Sequence, residues 1–511
     1  MHIWKWSAAA LAGVCLMAAP VAYADVTIQI DPEAIYPFHQ GIFEGWGTSL
    51  CWWANRIGYS DKLSSLAAEA FCDKESGLGL NILRYNIGGG DNPLHNHITR
   101  TDSMMPGFWV NPSYDASHGM YTWEYDWSQD ANQRNVLKHC LEAGGEGMLV
   151  EGFSNSPPYF MTVSGCSSGA RVASENNLRD DAYDAFAQYL ADVAAHFAEE
   201  WGIRFQSMAP MNEPDTSFWQ AHSPKQEGCH FDPGESQSKI LVALSQKLKE
   251  KGLDNIQLSG TDETAVDTQA RALAKLSEEA LAAISRVDTH TYNPSGRSML
   301  RRQTLARNKN LWMSEVDGGE ILGNNAGEMG AGLWLANRII EDLNGLRPSA
   351  WILWQVIDSH ICKDGYLGRR DTGMVNTRGG YWGTAVMDHD REELRLTMKY
   401  YVFGQFTRYI RPGAQMLAVN GPAVAARDGN RLIVVIMNQA AQEMPAKIDL
   451  SRMQDAFPKG SRASAVRTSG SIADGEHWAK LPVLLTESDG LHMILAPHSV
   501  TTFIINGKAE N

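Results

Sequence analysis

Eight short apolar runs rich in Val, Ile and Leu recur along the chain, at 42–49, 81–87, 148–153, 205–211, 256–260, 286–291, 311–315 and 351–356. Runs of this length, apolar without strict alternation, read as strands buried on both faces, as in a parallel sheet. Stretches of helical period lie between them. The clearest is 180–201, where Tyr183, Phe186, Leu190, Val193 and Phe197 step by three and four residues and form one apolar stripe. Asp180 and Asp181 suit its start, because a helix N-terminus favours negative charge. Segments 241–251, 268–284 and 332–343 repeat the pattern. Strand and helix alternating in this way predict the α/β class, as a (β/α)8 TIM barrel over residues 41–412.

Past Gly413 the helical period stops. Short alternating runs at 431–437, 463–468, 491–495 and 500–505 are separated by Asn, Gly, Asp and Pro. They predict an accompanying antiparallel β-sandwich over 413–511. Residues 26–30 alternate too, so the segment 25–40 is expected to supply an N-terminal strand to that sandwich.

The first residues read differently. Lys5 precedes a small, apolar stretch at 7–21, and Ala22-Tyr23-Ala24 has the form of a cleavage site. Residues 1–24 are therefore read as a secretory signal peptide, cleaved after Ala24, and the protein as secreted or periplasmic. The apolar stretch is short for a bilayer span. The net charge of −15 argues against nucleic-acid partners and anionic membranes, since little would neutralise phosphates. Six cysteines follow the signal segment: Cys51, Cys72, Cys140, Cys166, Cys229 and Cys362. Their spacing matches no zinc pattern. Cys166 and Cys229 each follow a glycine in loops expected to be neighbours, and they are the disulfide candidate. Cys72 and Cys140 read as buried thiols.

In a barrel of this kind the C-terminal strand ends carry the chemistry. The fourth run ends Met211-Asn212-Glu213-Pro214 and the seventh ends Met313-Ser314-Glu315. A carboxylate at a strand tip among apolar neighbours is costly without partners or a task. Two such groups facing each other suit glycoside hydrolysis. One protonates the leaving oxygen, and the other attacks the oxocarbenium-like centre from the opposite face. Glu213 is expected to be the acid/base and Glu315 the ionised nucleophile. Arg84, at the end of the second run, is placed to hold Glu315 ionised. Asn212 is placed for a sugar hydroxyl, and Tyr292 for the nucleophile, with His290 beside it. Asn155 adds polar contacts after the third run. The 16 tryptophans suit sugar stacking, and Trp46 and Trp354 are the expected substrate-binding pair. Trp52 and Trp53 serve subsites or core equally well. Asp262 and Glu263 invite a metal, but no third ligand is spaced to join them. No metal and no cofactor are expected. The expected partner is a polysaccharide or oligosaccharide, and the chain is expected to act as a monomer.

Several of these motifs together resemble glycoside hydrolase family 30. They are Gly45-Trp46-Gly47-Thr48-Ser49-Leu50-Cys51-Trp52-Trp53, Leu83-Arg84-Tyr85-Asn86, Gly152-Phe153-Ser154-Asn155-Ser156-Pro157-Pro158, Asn212-Glu213-Pro214 and Ser314-Glu315. Tyr409-Ile410-Arg411-Pro412-Gly413 is similar to that family's junction between barrel and β domain. The resemblance implies a barrel with a side sandwich, a strand-four acid/base at Glu213 and a strand-seven nucleophile at Glu315. The stretch around Trp46 is most similar to the endo-β-1,6-galactanase subfamily, which implies β-1,6-galactan side chains of arabinogalactans as substrate. Other members imply β-1,6-glucan, glucuronoxylan or glucosylceramide. A non-catalytic carbohydrate-binding protein is the reading from another class, and the presence of both glutamates, Arg84 and Asn212 weighs against it.

Overall fold

All eight apolar runs form strands, and in the computed structural model they close on one another in chain order. The barrel strands are Gly45–Ser49, Ile82–Asn86, Leu149–Phe153, Ser207–Ala209, Gln257–Ala265, Ile284–Asn293, Asn310–Glu315 and Ala350–Gln355. Every neighbouring pair is parallel, including the closing pair of the eighth strand with the first. The structure describes residues 26–100, 102–318, 327–365 and 382–508. Residues 1–24, the expected signal peptide, lie outside them. Among the described residues no helix is long and apolar enough to cross a membrane.

Side-chain alternation divides each strand between two environments. In the eighth strand Trp351 and Leu353 join the core under the helices, while Ala350, Ile352 and Trp354 face the barrel interior. The second strand divides likewise: Leu83 and Tyr85 go out, Ile82 and Arg84 go in. The interior has an apolar floor of Ile82, Trp312, Ala350 and Ile352, with Leu149 against it. Charged residues lie over that floor, beginning with Arg286, whose guanidinium carbon sits 3.4 Å from the Trp312 ring centroid. Because both faces are buried, the strands look apolar throughout in sequence.

The long helix runs Tyr183–Glu200. The periodic segment 268–284 is two helices, Val266–Lys275 and Glu278–Ala283. The break falls where Leu276 turns extended and the Ser277 side chain accepts the Ala280 N–H, a cap that starts a new helix. Two additions to the barrel mouth had no clear sequence signal. One is the hairpin Trp109–Asp115 with Met120–Tyr125. The other is a three-stranded sheet of Ile357–Ile361, Ala385–Asp388 and Glu393–Leu396.

The C-terminal strands build a separate, mostly antiparallel module. Strand Val26–Ile35 pairs in parallel with Met444–Asp449 through its first residues and antiparallel with Gln415–Val419 through its later ones. Strand Arg431–Asn438 shows how the module attaches. Leu432, Val434 and Ile436 fill its own core, and Ile433, Val435 and Met437 join the barrel's helix-facing core.

Candidate active site

The fourth and seventh strands deliver Glu213 and Glu315 to the barrel mouth. Glu213 stands four residues past the end of its strand, with a left-handed backbone at φ 48°. Its N–H donates to the carbonyl of Asp262 at 2.8 Å, so the fifth strand fixes the turn. Glu315 closes its strand where the register against the sixth strand shifts by one residue. Both carboxyls are largely buried, at 8% and 3% exposure, and each offers an oxygen within 4.8 Å of the other.

Glu315 is held on three sides. Arg84 donates to Oε2 at 3.0 Å, Tyr292 donates its hydroxyl to Oε1 at 3.1 Å, and His290 Nδ1 lies 3.4 Å from Oε1. Arg84 is fully buried, and its other nitrogens reach Glu151 at 3.0 Å and Asp262 at 2.5 Å. The Phe153 ring lies 4.2 Å beneath its guanidinium. Those anions outweigh the cost of burial and keep Arg84 firmly protonated.

His290 links the two glutamates. Its Nδ1 lies 3.1 Å from Glu213 Oε1, and its Nε2 lies 3.1 Å from Asp262 Oδ1. Both ring nitrogens face carboxyl oxygens, an arrangement that favours the imidazolium. Burial opposes that charge, but Glu315 and Asp262 raise the imidazole well above its usual range. Asp262 is the counterpart. Burial pushes its carboxyl up, yet Arg84 and His290 hold it well below the usual carboxylate range.

One electrostatic expectation changes. Burial pushes the Glu315 carboxyl up, His290 and Arg84 pull it down, Glu213 and Asp262 push it up, and the balance leaves it raised to about 7. A glutamate that attacks a sugar has to be ionised, so in that role the active fraction of Glu315 would fall as pH drops through that value. The acidic limb of kcat/KM should therefore bend near pH 7 and drop about tenfold per unit below it. A pH–rate profile checks this; a limb at the ordinary glutamate value near 4.3 would contradict it.

The other expected site residues separate into those at the mouth and those elsewhere. Asn212 and Asn155 are buried, and each has a side-chain oxygen with no hydrogen-bond partner among the described residues. Such atoms suit a sugar hydroxyl. Trp354 packs edge-on to Trp52, with ring centroids 5.1 Å apart, in an apolar patch with Phe153 and Ala209. Tyr292 stacks on Trp382 at 5.9 Å. Trp53 is fully buried core.

Trp46 is a correction. Alternation turns it out of the barrel, where it is fully buried against Phe43, Trp351 and Phe403, and its indole N–H donates to the Ile410 carbonyl at 2.7 Å. It anchors the junction to the β module and cannot stack on substrate. Trp46→Phe should cost roughly 1–3 kcal/mol of stability and leave KM unchanged. Denaturant melts and kinetics together check that; a raised KM with intact stability would contradict it.

The expected Cys166–Cys229 disulfide is a second correction, since both thiols are free. Cys166 Sγ turns towards His97 Nε2 and Ser168 Oγ, at 3.5 and 3.1 Å. Cys229 faces the carbonyl of His230, and burial pushes its thiol up to about 12.

Three charges inside the barrel, Glu151, Arg286 and Asp288, are not among the residues the sequence motifs single out. Glu151 bonds Arg84, Arg286 and Ser207, and Arg286 also bonds Asp288. A charged residue inside an otherwise apolar parallel strand was the available signal. Asp262 and Glu263, tempting as metal ligands, point into different networks. Glu263 accepts from the Asp215 N–H and from Gln237, bracing the loop after Glu213. Glu213, His290 and Glu315 are close enough to surround a cation. Both nitrogens of His290 are already engaged, however, and Arg84 and His290 supply the positive charge.

Paired carboxylates at the mouth of a (β/α)8 barrel, with an apolar aromatic patch beside them, define a glycoside hydrolase. Comparison with known proteins narrows this. Residues 25–270 match O-Glycosyl hydrolase family 30. The chain is 30% identical to an endo-β-1,6-galactanase of Hypocrea rufa, over 95% of this chain and 96% of that protein. It is 25% identical to an exo-β-1,6-galactobiohydrolase of Bifidobacterium longum subsp. longum, over 87% of this chain but 36% of that longer protein. The catalytic domain of GH30 xylanase C from Talaromyces cellulolyticus has the same fold, with TM-score 0.68 at 18% identity over 94% of this chain and 100% of that one. The chain belongs to glycoside hydrolase family 30.

Proposed function

We propose that the protein is a secreted, monomeric, retaining hydrolase of β-1,6-linked galactan, with Glu213 as acid/base and Glu315 as nucleophile. The observation that carries the mechanism is the approach of the two carboxyls to within 4.8 Å. Retaining enzymes keep the pair at about 5–5.5 Å for direct attack, whereas inverting enzymes leave about 6.5–9.5 Å for a water. In the first step Glu315 attacks the anomeric carbon as Glu213 protonates the departing oxygen. In the second, Glu213 takes a proton from water, and the water displaces Glu315. Arg84, Tyr292 and His290 hold Glu315 on the line of attack. Asn212 meets the sugar beside the reacting carbon, and its unpaired oxygen favours a hydroxyl donor there.

The linkage rests on two relatives, both named for β-1,6-galactosyl substrates and one matched along nearly its whole length. Secretion rests on the sequence of residues 1–24. A digestion panel of β-1,6-galactan, β-1,6-glucan, glucuronoxylan and aryl glycosides, with chromatography of the products, tests the substrate. Galacto-oligosaccharides from the first polymer are expected. Release from glucan or xylan alone would replace galactan as the substrate.

A further inference from the structure

The loops around the barrel mouth hold a cluster that the hydrolytic site does not use. His95 and His97 come from the loop after the second strand, Cys166 from the loop after the third, and His222 from the loop after the fourth. One nitrogen of each histidine and the Cys166 sulfur all lie within 4.8 Å of one another. The three imidazoles face each other at centroid distances of 4.8, 5.1 and 5.4 Å. We propose that this cluster is a binding site for a zinc-class divalent metal ion, which pins three mouth loops together.

The donor set suits such an ion. Three imidazoles and a thiolate are borderline-soft ligands, and four protein ligands close a tetrahedral site of the structural kind. His97 Nε2 lies 3.5 Å from Cys166 Sγ. That is close to a tetrahedral edge, about 3.4–3.7 Å for metal–nitrogen and metal–sulfur bonds of about 2.0–2.3 Å. The His222 backbone N–H donates to the same sulfur, at 3.4 Å. His222 adopts the left-handed region, φ 61°, which a residue other than glycine holds at a cost.

Asp91 supplies the supporting layer. Its Oδ2 lies 3.1 Å from His95 Nδ1 and 3.5 Å from His97 Nε2, and its Oδ1 accepts the Ser167 N–H at 2.9 Å. A carboxylate behind a ligating imidazole fixes the tautomer and leaves the other nitrogen to the metal. His97 Nδ1 is buried without a hydrogen-bond partner among the described residues. Asp91, His95 and His97 also form one wall of a cleft of about 620 Å³ that reaches Trp109, Tyr159 and Glu227. Zinc motifs read from sequence depend on close ligand spacing. Here only His95 and His97 are close, and the other two ligands come from separate loops.

The test uses the whole enzyme, stripped with a chelator and titrated with Zn(II) alone and with Co(II) alone. One ion per chain should bind, Zn(II) should raise the melting temperature, and bound Co(II) should show a thiolate-to-metal charge-transfer band. Cys166→Ser should lose that band. His222→Ala, at an exposed position, should weaken Zn(II) binding by about 100-fold or more without altering turnover by the zinc-free enzyme. Absence of uptake by the wild type, a Co(II) spectrum without the band, or unchanged affinity in His222→Ala would overturn the proposal.

Discussion

Glu315→Gln should lower kcat by about 10,000-fold or more on any glycoside, with the fold intact. The amide nearly matches the carboxylate in shape but cannot form the glycosyl intermediate. Glu213→Gln should fall comparably on natural substrates, but not on aryl glycosides with good leaving groups. Those depart without a proton, so bond cleavage persists and only breakdown of the intermediate slows. Azide should separate the two positions further. With Glu213→Ala it should give the β-azide, by attack on the intermediate from the face the missing base leaves open. With Glu315→Ala it should give the α-azide, by direct displacement. The structure motivates the asymmetry: Arg84 and Tyr292 both donate to Glu315 and not to Glu213. Near-wild-type turnover of galactan by either glutamine variant would remove that residue from its role.

Arg84→Met should affect stability and activity together. Arg84 is the cation shared by Glu151, Asp262 and Glu315, all buried. Removing one partner of a buried charge network leaves uncompensated charge, at a cost of about 3–5 kcal/mol. The carboxyls nearest the gap relieve that cost by taking up protons. Arg84 pulls Glu315 down, so its loss should move the acidic limb of kcat/KM to higher pH. Lysine supplies one compact charge where the guanidinium reaches three carboxylates in a plane, so Arg84→Lys should recover only part of either loss. Urea melts and pH profiles of both variants check this. Stability within about 1 kcal/mol of wild type, with an unmoved limb, would show that the network does not depend on Arg84.

Much of the fold was legible because parallel strands buried on both faces leave compact apolar runs. The glutamates were legible because each ends such a run. Side-chain direction was not. In Gly45–Ser49 every residue is buried, so polarity gives no sign of which face Trp46 takes; pairing with the neighbouring strands turns it outward. Cys166 and Cys229 lie on loops that come near each other, but sequence does not orient their side chains. Cys166 turned to the histidines instead. The interior charges could have been found: Glu151 and Arg286 interrupt apolar strands, and such a break marks an inward position with a partner. The raised Glu315 carboxyl depends on burial depth and on the neighbouring acids Glu213 and Asp262, neither of which appears in a linear motif.

The measurement that bears most directly on the mechanism is covalent trapping. A 2-deoxy-2-fluoro-β-galactoside with a good leaving group, extended by a β-1,6-linked galactosyl unit, slows breakdown of the intermediate more than its formation. After reaction, peptide mapping should place a single fluoroglycosyl label on the Glu315 carboxyl, and hydrolysis of the labelled enzyme should release the β-anomer first. A label on any other carboxylate, or turnover of galactan to the α-anomer without labelling, would contradict the assignment.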